Sequence, residues 1–125
     1  IDAAIQAGID FLLGIDPVTA ESPHPYAPKT SGNWWKFGFP VFYITDLLQL
    51  AEAMVALGAG DDSRMTSLIK LVIEKRDSQG RWLLEYDYRG KTIVDFGEKK
   101  MPSKWVTLRA LRVLKSAVKT NAGPE

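Results

Sequence analysis

A chain of 125 residues that is 46% hydrophobic and 25% charged has the size and balance of one ordinary folded domain, which excludes wholesale disorder. Its 16 basic and 15 acidic residues leave a net charge of +1, too weak a field to make nucleic acid or an anionic membrane the main partner. The lack of cysteine excludes disulfides and thiolate chemistry and fits a cytoplasmic protein; with His24 as the single histidine, zinc is not expected, nor is any other metal or cofactor.

Ile1, Ala4, Ile5, Gly8, Ile9, Leu12 and Leu13 recur at helical spacing, with Asp2, Gln6 and Asp10 on other faces, so an amphipathic helix is predicted to about Gly14. A polar loop follows, marked by Pro17, Pro23, Pro25 and Pro28, which oppose both helix and central strand; His24 is a loop residue within it. Loops of this length are usually functional or laid across another surface. After the aromatic stretch Trp34, Trp35, Phe37 and Phe39, Pro40 is predicted to open a second helix, at the first-turn position where its missing N–H costs nothing. From residue 41 to 57 nearly every face of that helix is apolar, and Thr45, Asp46, Gln49 and Glu52 share one narrow side. Such a helix is expected to be buried on several sides at once. Gly58 and Gly60 end it.

Asp61 or Asp62 is positioned to cap a third helix, a surface one, whose apolar stripe is Met65, Leu68, Ile69, Val72 and Ile73. Further on, residues 82–88 and 92–96 read as a short β-hairpin across Arg89-Gly90, marginal on its own. Ser103 is predicted to cap a fourth helix that runs through Trp105, Leu108, Leu111 and Leu114 to about Lys119. No apolar run approaches the ~20 residues of a membrane span, so no transmembrane segment is expected.

The two halves of the chain repeat. Shifted by 62 residues, Pro40 falls on Pro102, Tyr43 on Trp105, Ile44 on Val106 and Thr45 on Thr107; shifted by 64, Ile1, Ala4, Ile5 and Ile9 fall on Met65, Leu68, Ile69 and Ile73. The fold class predicted is therefore all-α: one segment of two helical hairpins, about 1–60 and 61–120, with four main helices. Such a unit cannot bury its apolar face alone, and about three are normally needed for stability. Either a longer chain or self-association is expected to supply the rest.

Three stretches carry a family resemblance: Lys75-Arg76-Asp77-Ser78-Gln79-Gly80-Arg81-Trp82; Phe37-Gly38-Phe39-Pro40 with Tyr43 and Asp46-Leu47-Leu48; and Pro102-Ser103-Lys104-Trp105-Val106-Thr107-Leu108. Together they resemble the α/α-toroid superfamily of terpenoid cyclases and protein prenyltransferases, in particular squalene-cyclase-like proteins of unassigned function. The resemblance implies paired inner and outer helices around an apolar cavity. It also implies a turn in which a Gln and a following Gly-x-Trp tie neighbouring units together. Gly80-Arg81-Trp82 keeps the Gly-x-Trp, while Lys75 or Arg76 stands where the Gln is expected and Gln79 is displaced. The cyclase acid motif Asp-x-Asp-Asp is absent, only Asp61-Asp62 being present, and a chain without Cys cannot rebuild the prenyltransferase zinc set. Neither chemistry carries over.

Asp46 is the sharpest catalytic candidate. On an inner helix lining a cavity, burial would favour its protonated form, and it could serve a cyclase-type enzyme as general acid. The competing reading is an Asp paired with a Lys or Arg, or bonded to backbone. Trp34, Trp35, Trp82, Trp105 and Tyr43 offer π-faces for a hydrophobic ligand, a carbocation or a sugar ring; interhelical packing with the indole N–H satisfied competes. Lys104, Arg112, Lys115 and Lys119 share one sector of the fourth helix, with Arg109 further round and no acid to balance them. They suit an acidic partner or an isoprenyl diphosphate, or simply a solvated face. The function expected is non-catalytic: holding a hydrophobic, isoprenoid-like small molecule, or scaffolding. The alternatives are part of a cyclase-like enzyme with Asp46 as acid, and a carbohydrate-active α/α barrel segment using the loop tryptophans as sugar platforms. The ligand class rests on resemblance, since fold does not fix function.

Overall fold

The structure, a computed structural model, describes residues 1–19, 29–42 and 45–121. Among the described residues stand four α-helices and no strand: α1 (Asp2–Leu13), α2 (Leu47–Ala56), α3 (Thr66–Glu74) and α4 (Lys104–Asn121). The all-α class is the one expected from periodicity. The readings made for Pro23, His24, Pro25, Pro28, Tyr43 and Ile44 lie outside the described residues.

α2, α4 and the 3₁₀ turn that leads into α3 start where a short polar side chain receives a backbone N–H that the first turn leaves orphaned. Ser103 Oγ accepts from the Val106 N–H at 3.3 Å at the head of α4. Asp62 accepts from the Arg64 N–H at 2.9 Å, opening a single 3₁₀ turn, Ser63–Met65, that leads into α3. Both starts are as expected. The start of α2 is not: Pro40 does not open it, and the helix begins at Leu47, with the Asp46 carboxylate accepting from the Gln49 N–H at 2.7 Å. The Asp46-Leu47-Leu48-Gln49 run has capping-box spacing, and a carboxylate cap satisfies a donor that a proline start leaves to water. At the other end Gly58 takes a φ of +81°, and the Ala59 and Gly58 N–H groups reach the Met54 and Val55 carbonyls at 2.8 and 3.1 Å. This is the paired bonding of a Schellman termination, which glycine allows without a Cβ penalty.

α2 lies at the centre, packed chiefly against α4 and also against α3, while α4 touches α3. Leu47, Leu48, Leu50, Ala51 and Met54 of α2 are buried with Met65, Leu68 and Val72 from the α3 region and Val106, Ala110 and Val113 of α4. The neighbours that α2 requires are thus supplied by its own chain, whereas the sequence looked for them outside it. The uncovered apolar surface lies elsewhere. α1 buries only Ile9 and Leu13 and leaves Ile5, Phe11 and Leu12 exposed. On α4 the small side chains face in, and Leu108 and Leu111, expected in the core stripe, are 42% and 48% exposed.

The predicted hairpin does not form. Residues 82–88 do alternate, with Trp82, Leu84, Tyr86 and Tyr88 buried and Leu83 exposed, as an extended segment should. Their partners, however, are not residues 92–96. The Glu85 N–H reaches the Phe37 carbonyl at 2.8 Å on one side; on the other, the Leu84 N–H reaches Met101 at 2.9 Å and the Ser103 N–H reaches Trp82 at 2.8 Å. The extended segment is wedged between two stretches distant in sequence, and a turn at Arg89-Gly90 cannot deliver those contacts.

One of these pairings is parallel, Gly38 against Tyr86. The same 48-residue offset aligns Gly32-Asn33-Trp34 with Gly80-Arg81-Trp82, whereas the caps Asp46 and Ser103 are 57 apart. Pro40 and Pro102 are not equivalent, as one precedes its cap by six residues and the other by one.

Candidate functional site

The heads of α2 and α4 meet the 37–42 and 82–97 segments, and the residues gathered there form two layers. The inner layer is charged. Asp46 is fully buried, and Arg109 of α4 is 5% exposed. Arg109 Nη2 stands 3.3 Å from Asp46 Oδ1, while its Nε and Nη2 reach Glu52 Oε1 at 2.7 and 2.6 Å and its Nη1 donates to the Gly38 carbonyl at 2.6 Å. Tyr86 donates its hydroxyl to Asp46 Oδ2 at 2.9 Å, and the Gly38 N–H approaches the same oxygen at 3.4 Å.

Burial works against the charge on Arg109, but Asp46 and Glu52 outweigh it and hold the guanidinium charged more firmly than usual. Burial, reinforced by the Asp46 charge, pushes the Tyr86 phenol well above its ordinary value, so it remains a donor. Asp46 is consequently placed as an acceptor at a helix cap, with both oxygens engaged. Asp46 is thus paired with an arginine, and it is Arg109, the cation of α4 that lies round from the Lys104, Arg112, Lys115 and Lys119 sector.

The outer layer is aromatic. Phe39 stacks on Trp105, ring centres 5.2 Å apart and 10° from parallel, and Phe96 meets both rings edge-on at 5.1 and 5.9 Å. Phe42 and Tyr88 form a second edge contact at 4.8 Å. A shallow recess is lined by Phe39, Pro40, Leu84, Tyr88 and Phe96, with Asp87, Arg89 and Asp95 also on its wall. Lys104 places its ammonium 4.9 Å above the Trp105 ring. The recess has a volume of about 10 Å³, room for one water, so an apolar or flat group would rest on the half-buried aromatic surface beside it, with the charged groups on the wall facing a polar end.

The proposed site residues divide accordingly. Trp105 and Lys104 are brought together beside the recess. Trp34 and Trp35 are not part of it: their indole N–H groups donate to the Pro17 and Val18 carbonyls at 2.8 and 2.6 Å, tying the loop after α1 to the core. Trp82 is buried and donates to the Val72 carbonyl at 2.8 Å, satisfying an acceptor in the last turn of α3. Tyr43 lies outside the described residues. Lys75, at the position where the resemblance expects Gln, pairs with Glu85 at 2.7 Å, and Glu85 accepts from the Phe37 N–H at 2.7 Å. That contact joins the second hairpin to the loop of the first.

Phe39, Phe96 and Tyr88 escaped the sequence reading as site residues. The burial alternation of 82–88 was the available signal for Tyr88; nothing local marks Phe96, which lies in irregular chain. No group of three or more potential metal ligands converges, and no helix is long and apolar enough to cross a membrane, among the described residues. Comparison of the chain with protein-family models, curated proteins and solved structures found no significant match.

Proposed function

We propose that this chain is a non-catalytic segment of an α/α toroid that holds a hydrophobic, isoprenoid-like molecule against its aromatic recess. One observation carries the reading: Phe39, Phe96 and Trp105 form a half-buried cluster at the heads of α2 and α4, while the adjacent buried carboxylate is occupied by Arg109 and Tyr86. Aromatic area beside a carboxylate whose oxygens are already engaged favours binding over turnover. The isoprenoid class follows from the toroid resemblance, and a cytoplasmic location accords with the cysteine-free composition.

Native mass spectrometry of the purified chain tests the proposal. A co-purified lipid mass is expected, and its occupancy should fall roughly tenfold in Phe39→Ala and Trp105→Ala, in line with the loss of one well-packed aromatic contact. A clean apo mass that stays apo after incubation with farnesol or squalene would overturn it. Turnover of a squalene-like substrate that disappears in Asp46→Asn would replace it with the cyclase reading.

A further inference from the structure

Two surfaces of this chain carry opposite charge beside exposed apolar groups. α4 has five cations, Lys104, Arg109, Arg112, Lys115 and Lys119, and no acid. Arg109 is turned inward, but Leu108, Leu111, Arg112 and Lys115 fall within about a third of the helix circumference at 100° per residue, on the side away from Val106, Ala110 and Val113. Greasy and cationic groups are therefore interleaved on one outward stripe. Arg112 and Lys115 make no ion pair among the described residues.

The opposite combination occurs around α1. Residues 1–28 contain four acids and no Lys or Arg. A groove between α1 and the turn after α2 is lined by Gln6, Ile9, Leu57, Asp61 and Asp62, with Ile5 exposed close by on α1. Arg64, bonded to Asp62 and Asp10, holds Asp62 down to about 2, so that wall stays anionic. One guanidinium shared by two carboxylates leaves net negative charge, to which the exposed Asp2 and Asp61 add.

We propose that these surfaces are the two halves of one interface, the outward α4 stripe of one copy docking in the α1 groove of a second copy. The geometry is head-to-tail, with different patches meeting, so the copy that gives its stripe keeps a free groove and the copy that gives its groove keeps a free stripe for the next. Charge complementarity selects the occupant: an acidic groove with Leu57 and Ile5 exposed beside it fits a basic helix with exposed leucines, and this chain carries one. The interface does not rest on the lipid reading, because neither Arg112 nor Lys115 lines the aromatic recess.

Sedimentation velocity of the full chain across concentration and salt, with two charge-reversed variants, provides the test. Wild type should associate with rising concentration and dissociate with rising salt. Arg112→Glu/Lys115→Glu and Asp2→Lys/Asp61→Lys, each folded by circular dichroism, should each weaken association roughly tenfold or more. Mixed in equal amounts, the two variants should regain it, since the reversed stripe of one then faces the reversed groove of the other. A wild type that stays monomeric at every concentration, variants that associate like wild type, or a mixture that fails to recover would each overturn the proposal. So would a monomer whose stripe instead binds phosphatidylserine vesicles in an Arg112- and Lys115-dependent way.

Discussion

Arg109 reaches Asp46, Glu52 and the Gly38 carbonyl at once, so its removal would strand a fully buried carboxylate. Breaking a buried pair from one side is costly because the remaining charge has been desolvated without compensation. Arg109→Met should therefore destabilise the chain by about 3–5 kcal/mol in urea unfolding. Arg109→Lys should cost less, retaining the charge but losing the fork that serves three acceptors. Equal midpoints for wild type and Arg109→Met would show that the network contributes nothing to folding. The sequence displayed Asp46 as a polar residue in an apolar run and Arg109 as one cation among several. Their 63-residue separation is what concealed the pair.

Elements were legible wherever the signal was local. Asp62 and Ser103 stand at helix starts by the same chemistry that made them conspicuous in the sequence, and Gly58 ends α2 because a left-handed residue is needed there. The misplaced start of α2 came from reading Pro40 as its opening; the Asp46 cap starts it instead. The extended segment 82–88 shows the limit of such reading: its period of two was visible, its partners were not. Gly38 is where that tertiary pairing is most exposed to mutation. A Cβ there would lie 2.6 Å from both the Tyr86 ring and its carbonyl oxygen. Gly38→Ala should cost about 1–3 kcal/mol by overpacking. It should also move Tyr86 off Asp46, seen as a change in near-ultraviolet circular dichroism; an unchanged spectrum and midpoint would refute the close approach.

At the scale of the molecule, cohesion is uneven. α2, α3 and α4 share one core, while α1 contributes Ile9 and Leu13 and keeps its other apolar groups in solvent. Local opening follows buried contact density, so in hydrogen exchange at low protein concentration the α1 amides should exchange well before those of α2. If a second copy covers the groove, α1 protection should rise with concentration while that of α2 stays constant. Equal protection of α1 and α2 at micromolar concentration would contradict this account of the core.

The sequence by itself determined the all-α class, the caps at Asp62 and Ser103 and the termination at Gly58. Each of these follows from interactions among residues a few positions apart, where backbone geometry leaves little choice. Only the tertiary structure decided that Asp46 meets Arg109, that residues 82–86 lie between 37–38 and 100–103, and that Leu108 and Leu111 face outward. Those outcomes depend on how α2 and α4 settle against each other. A helical stripe records which residues are apolar, but the neighbouring helix selects which of them it covers.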